Sequence, residues 1–203
     1  MGIVTALETD IDPDGLLEYS VVFNDRSLNH MSASFQTVMR EVSASLKEAY
    51  SAKSAILVPG GGTFGMEAIA RQFGTDKRCL VVRNGWFSFR WSEIFEKGKI
   101  ASETKVLFAN QQPHSAGDNK LKPFAPSALS DIVADIALYK PDIVCAPHVE
   151  TSAGMVLPDN YIAGIADAVN GAGGLFILDC VASGALFVDM EQLGVDVWLG
   201  ARE

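Results

Sequence analysis

The sequence predicts an α/β fold: a mostly parallel sheet with helices on both faces. Three observations carry this expectation. Short apolar runs rich in Val, Ile and Leu recur along the chain, as suits strands buried on both faces. Segments with helical periodicity alternate with them, which is the order of a parallel α/β sheet. Polar and glycine-rich turns follow the runs, where open sheets of this class place their ligand-binding residues.

The first long element is an amphipathic helix over 29–49, with Phe35, Met39, Val42 and Leu46 on one face. A first strand is expected over 54–59, stopping at Pro59 and three glycines, and a helix over 64–73 follows. Strand 78–83, helix 87–97 and strand 102–108 come next. The helix over 126–139 sets Leu129, Ile132, Val133, Ile136 and Leu138 close to one stripe and is closed off by Pro141. Strand 143–147, helix 159–170, strand 175–179 and a sixth strand over 195–199 complete the alternation. No repeat, low-complexity tract or linker interrupts it, so a single α/β domain is expected.

The 203 residues are 48% hydrophobic and 20% charged, which excludes disordered and fibrous classes. Sixteen basic against twenty-five acidic residues give a net charge of −9, which argues against nucleic acid or an anionic membrane as the main partner. The acidic N-terminus has no basic or apolar targeting region. The longest apolar stretch, 174–188, is broken by Asp179 and is too short to span a bilayer. Cys79, Cys145 and Cys180 form an odd set within apolar runs, which suits reduced thiols in a cytoplasmic protein. His30, His114 and His148 are too few to suggest a metal site.

Four turns at strand ends carry the candidate chemistry. Pro59-Gly60-Gly61-Gly62-Thr63-Phe64-Gly65 leads into a helix N-terminus, whose free N–H groups suit an anion; Thr63 would add a hydroxyl as cap and phosphate donor. It is not a P-loop, because no Gly-Lys-Ser/Thr follows. A tight structural turn is the other reading. Asn84-Gly85-Trp86-Phe87-Ser88 offers adjacent aromatics that either stack on a planar ring or pack into the core. His148-Val149-Glu150-Thr151-Ser152-Ala153-Gly154 gathers more polar side chains than packing explains. Asp179 ends an apolar strand, where a carboxylate is costly unless it meets a cation or several donors. It would suit a cationic ring nitrogen; a helix cap or structural ion pair is the alternative.

Taken together, this ordered set resembles the class V aminotransferases, the serine–pyruvate and alanine–glyoxylate branch of the fold-type I pyridoxal-phosphate enzymes. The resemblance begins near Leu28-Asn29-His30 and runs to the last residue. It implies the fold-type I large domain over 26–203, with its mostly parallel (mixed) sheet of the seven-stranded type, behind an N-terminal arm over 1–25, with pyridoxal 5'-phosphate as cofactor. By position, Gly61, Gly62 and Thr63 correspond to the phosphate loop, and Phe87 to the ring-stacking aromatic with Trp86 beside it. Thr151 corresponds to the hydroxyl near the phenolic oxygen, Asp179 to the partner of the pyridinium nitrogen, and Val181 to the apolar cover of the opposite ring face. The implied reaction moves an amino group from a small serine- or alanine-type amino acid to a pyruvate- or glyoxylate-type 2-oxo acid, in a cytoplasmic homodimer.

Two departures stand out. Gly61 and Thr63 lie where many relatives carry serine and histidine. Counting from Gly194, the family's Schiff-base lysine falls one position past Glu203, so the resemblance implies a large domain cut just before that lysine and without the small domain. Read at face value, the 203 residues would instead be a catalytically silent α/β module that binds a phosphate-bearing ligand or oligomerises. A fold-type I lyase or desulfurase is a further alternative. A dinucleotide-binding dehydrogenase is disfavoured, because Arg83 and Asn84 stand where an acidic residue is needed.

Overall fold

The computed structural model describes residues 30–112 and 123–201; the expected arm over 1–25, Leu28, Asn29 and His114 lie outside them. The chain divides into two compact units between Ile56 and Leu57. In the first, helix α1 (Ala33–Tyr50) starts at Ser32, whose hydroxyl accepts the Phe35 N–H at 3.1 Å and so satisfies one of the donors a helix start leaves free. Of its expected apolar face, Phe35, Met39 and Leu46 are half-buried and Val42 is exposed.

The second unit begins with α2 (Gly62–Gly74), β1 (Arg78–Arg83), α3 (Trp86–Gly98) and β2 (Glu103–Phe108). A short hairpin, β3 (Asn110–Gln111) with β4 (Phe124–Ala125), precedes α4 (Leu129–Tyr139) and β5 (Ile143–Pro147). A second hairpin, β6 (Val149–Glu150) with β7 (Met155–Val156), leads to α5 (Asp159–Gly171), β8 (Leu175–Asp179), α6 (Met190–Leu193) and β9 (Val197–Leu199). Among the described residues the main sheet has five strands, all parallel, in the order β2-β1-β5-β8-β9. Their carboxyl ends therefore share one edge.

Side-chain alternation along the strands splits the core into two layers. Leu80, Val82, Val144, Ala146, Phe176 and Leu178 pack with Ile132 and Ile136 of α4 and Ile162, Ile165 and Val169 of α5. The residues between them, Cys79, Val81, Ile143, Cys145 and Ile177, pack on the other face with Met66 and Ala70 of α2 and Trp91 and Phe95 of α3. Each fully buried side chain of Phe or Ile size contributes about 1.5–3 kcal/mol through burial, which explains why β1, β5 and β8 read as unbroken apolar runs.

Three element expectations need correction. Residues 54–59 form no strand: no strand of the described sheet pairs with them, and Ile56, Leu57 and Val58 are exposed. An apolar composition favours a strand but does not supply the backbone partner that makes one. In α4 the buried set is Ile132, Ile136 and Tyr139, while Leu138 is 82% exposed, because steps of four and three keep to one helical face and a step of two leaves it. Strand β2 is half-buried rather than buried, since it lies at a sheet edge. The three cysteines are free and buried; burial pushes Cys79 and Cys180 up to about 12, and Cys145 well above its ordinary value.

Candidate functional site

All four turns gather at the carboxyl edge of the sheet. Parallel pairing puts the ends of β1, β5 and β8 side by side, with Cys145 opposite both Val81 and Ile177. The α2 N-terminus meets the same edge: a Cβ on Gly62 would lie 2.8 Å from a Val181 methyl, and one on Gly65 2.6 Å from a Leu199 methyl. A larger residue at either position would force the Val181 or Leu199 side chain to shift for α2 to approach so closely. The helix is capped by Gly61, with no side-chain cap bond. Thr63 is therefore not the cap that the sequence suggested. It sits within the first turn, and its hydroxyl accepts from Arg90 Nη1 at 2.6 Å.

The α3 start is held by a carboxylate of the polar turn after β5, which no feature of the sequence singles out within that turn. Glu150 is 1% exposed. Its Oε1 accepts the Phe87 N–H at 3.1 Å, and its Oε2 accepts the Ser88 N–H at 2.9 Å and the Ser88 hydroxyl at 2.6 Å. The Ser152 hydroxyl also donates to Glu150, and accepts the Trp86 N–H at 2.8 Å. Burial would raise this carboxyl, but the bonds from Ser152, Ser88 and the two backbone N–H groups together hold it below its ordinary value. Gly85 is tightly enclosed, since a Cβ there would lie 2.4 Å from Ser152 Oγ and 2.7 Å from Glu150 Cδ.

With its start fixed in this way, α3 leaves Phe87 49% exposed at the sheet edge, while Trp86 is 68% exposed and stacks on Phe89 with ring centroids 5.8 Å apart. Thr151 is exposed beside Glu150, and Val181 is 36% exposed.

Asp179 is 8% exposed. Its Oδ1 accepts the Val181 N–H at 3.1 Å, a local turn that Asp side chains favour. Its Oδ2 accepts the indole N–H of Trp91 at 2.9 Å. No cation pairs with it among the described residues, so neither a salt bridge nor a helix cap explains its position. Burial raises its carboxyl above the ordinary value; the Val181 and Trp91 bonds lower it, and the Glu150 charge raises it further.

Behind the edge, His148 is buried, with its ring Nδ1 2.8 Å from Ser183 Oγ. Burial lowers its affinity for a proton, and Asp159 opposes this. The Asn84 side-chain amide is buried and has no hydrogen-bond partner among the described residues. Among the described residues no three His, Cys, Asp or Glu side chains gather as a metal site would need, and no helix is long and apolar enough to cross a membrane. An open cavity of about 420 Å³ between α3 and β2, lined by Ser92, Glu96, Lys99 and Glu103 among others, contains none of the residues at this edge.

No protein-family model matches the chain. It is 30% identical over 174 residues to a 2-aminoethylphosphonate–pyruvate transaminase of Burkholderia thailandensis, an alignment that covers 83% of this chain and 43% of that protein. It is 26% identical to the (S)-ureidoglycine–glyoxylate transaminase of Bacillus subtilis, over 99% of this chain and 44% of that protein. Among solved structures, the ureidoglycine–glyoxylate aminotransferase of Bacillus subtilis superposes with a TM-score of 0.69 at 24% identity, over 85% of this chain and 41% of that one. The pyridoxamine–pyruvate aminotransferase of Mesorhizobium loti superposes with a TM-score of 0.70 at 17% identity, over 87% of this chain and 42% of that one. The chain thus spans less than half the length of the curated relatives it matches. Over the part of their length that it spans, the chain is similar in sequence to these transaminases and in fold to solved aminotransferases.

Proposed function

We propose that this chain is the cofactor-holding part of a pyridoxal-phosphate-dependent aminotransferase. Its reaction would carry an amino group from a small serine- or alanine-type amino acid to a pyruvate- or glyoxylate-type 2-oxo acid. The observation that carries this reading is Asp179: a buried carboxylate at a strand tip, held by two neutral donors and paired with no cation among the described residues. A buried acid of this kind is costly by itself and suits a protonated ring nitrogen. The names of the relatives, which specify pyruvate and glyoxylate as partners, support the acceptor class.

The residues present fit the cofactor. An N-terminus without a side-chain cap at Gly61, Gly62 and Thr63 offers backbone N–H groups and a partial positive charge to a phosphate. Phe87 would cover one face of the ring with Trp86 beside it, Val181 would cover the other, and Thr151 would present its hydroxyl to the phenolic oxygen. Asp179 would hold the proton on the ring nitrogen. When bound, the cofactor supplies the electron sink for the bond broken at the amino acid's α-carbon. We place the 1–25 arm and the 26–203 large domain in a cytoplasmic homodimer; the exposure of Phe64 and Leu186 supports the dimer.

The test is an assay of transamination. With alanine or serine as donor and pyruvate or glyoxylate as acceptor, the protein should turn over, and Asp179→Ala should lower kcat by more than about 100-fold, as losing an electrostatic partner of the reacting group does, with an unchanged circular dichroism spectrum. Near-normal turnover in that variant contradicts the assignment.

A further inference from the structure

The face of α3 that presents Phe87 also carries Trp91, one turn further into the fold. Residues four apart on a helix lie one above the other, and here the upper ring is 49% exposed and the lower fully buried. Trp91 is braced on its inner side by Phe95, with ring centroids 6.3 Å apart. Its indole N–H is its only hydrogen-bonding group, and it is directed to Asp179 Oδ2 across 88 positions of sequence. Alternation along β8 sets up this meeting, since Asp179 shares the face of Ile177, which packs in the layer that includes Trp91.

We infer that Trp91 is a positioning residue which, acting through Asp179, fixes the buried carboxylate in place as an anion for the cofactor's ring nitrogen. This rests on the reading of Asp179 proposed above and adds to it a second requirement, a neutral donor inside the fold. The other donor, Val181 N–H, engages Oδ1, so each carboxylate oxygen has one fixed partner and retains further acceptor capacity for a third. A hydrogen bond to the charged form favours that form, so the indole opposes the desolvation that raises this carboxyl.

The titratable groups around Asp179 are few. Glu150 lies on β6, Cys145 on β5, Cys180 follows in sequence, and His148 donates its backbone N–H to the Asp179 carbonyl at 2.8 Å. Burial raises both thiols, and the Glu150 charge opposes ionisation of Asp179. Among these groups, Trp91 contributes the only side-chain bond to the carboxylate among the described residues.

The test uses the 203-residue chain without cofactor, labelled with 13C at the aspartate carboxyls and 15N at the tryptophans. In the unaltered chain, the Trp91 indole resonance should move with pH at the same midpoint as the Asp179 carboxyl. In Trp91→Phe, which keeps an aromatic ring and loses the donor, that midpoint should rise by about one unit, the scale of one such bond. At a pH below both midpoints, pyridoxamine phosphate, which binds without a covalent link, should then bind Trp91→Phe at least about five-fold more weakly, below the ten-fold that one unit allows there. An indole resonance indifferent to the Asp179 titration overturns the inference without needing any variant to fold. Equal binding of pyridoxamine phosphate by the two chains overturns it as well. If the unaltered chain fails to bind while the coupled titration is present, the cofactor reading itself is overturned, and with it the role assigned here to Trp91.

Discussion

Two buried carboxylates at this edge behave oppositely, and the difference lies in their donors. Glu150 receives four hydrogen bonds and its pKa is depressed; Asp179 receives two and burial prevails. Because the folded-state value of Glu150 lies below its ordinary 4.5, its stabilisation is present above that pH and is lost as pH falls through the folded value. For Asp179 the sign reverses: ionisation disfavours the fold above its raised value, and this penalty fades as pH falls toward the ordinary value. Glu150→Gln should therefore lower stability by about 2–3 kcal/mol at pH 7, the scale of bonds to a charged group. Its deficit against the unaltered chain should shrink as pH drops below about 4.5, the ordinary glutamate value. Urea unfolding across this range measures both, and a constant deficit would contradict the assignment. At this scale the sequence was legible in part. An acid ending an apolar strand marked Asp179 as a place needing a partner, but its donor lies 88 positions away, and nothing local names it. Glu150 lay within a turn already singled out as too polar for packing. Its task became visible only once the hairpin set it against the first turn of α3.

Among the elements, α3 carries the arrangement, because its first turn places Phe87 and its second places Trp91. Its start is locked by Ser88, Glu150 and Ser152 around Gly85. Gly85→Ala would drive a Cβ into Ser152 Oγ and Glu150 and should cost about 1–3 kcal/mol, as overpacking of a closed site does. Gly171→Ala, at the end of α5 where an added Cβ meets nothing within 4 Å, should be neutral or stabilising by up to about 1 kcal/mol. Thermal melts of the two variants separate enclosure from a general intolerance of alanine for glycine. Elements closed by their own residues were legible from sequence: β1, β5 and β8 hold to the expected bounds because each is a buried run ended by a turn. Residues 54–59 show the limit. Their composition favours a strand, yet a strand exists only where a neighbour completes its ladder, and a local window holds no record of that neighbour.

Across the whole molecule, parallel order does the gathering. Crossover helices return the chain so that each strand ends on one side, and turns separated by more than a hundred residues become neighbours there. This is why the candidate site was readable as four separate motifs while its internal bonds were not. Strand alternation fixes which turn follows which strand, whereas contacts such as Trp91 with Asp179 depend on which helix covers which face. The central claim is that Asp179 holds a protonated ring nitrogen at this edge. It is tested most directly by the 15N resonance of pyridoxamine phosphate labelled at the ring nitrogen and bound to the 203-residue chain. The account predicts a protonated nitrogen at a pH where the free ligand is unprotonated, and loss of that state in Asp179→Asn. An unprotonated nitrogen in the unaltered chain, or the same protonated signal in both, would contradict it.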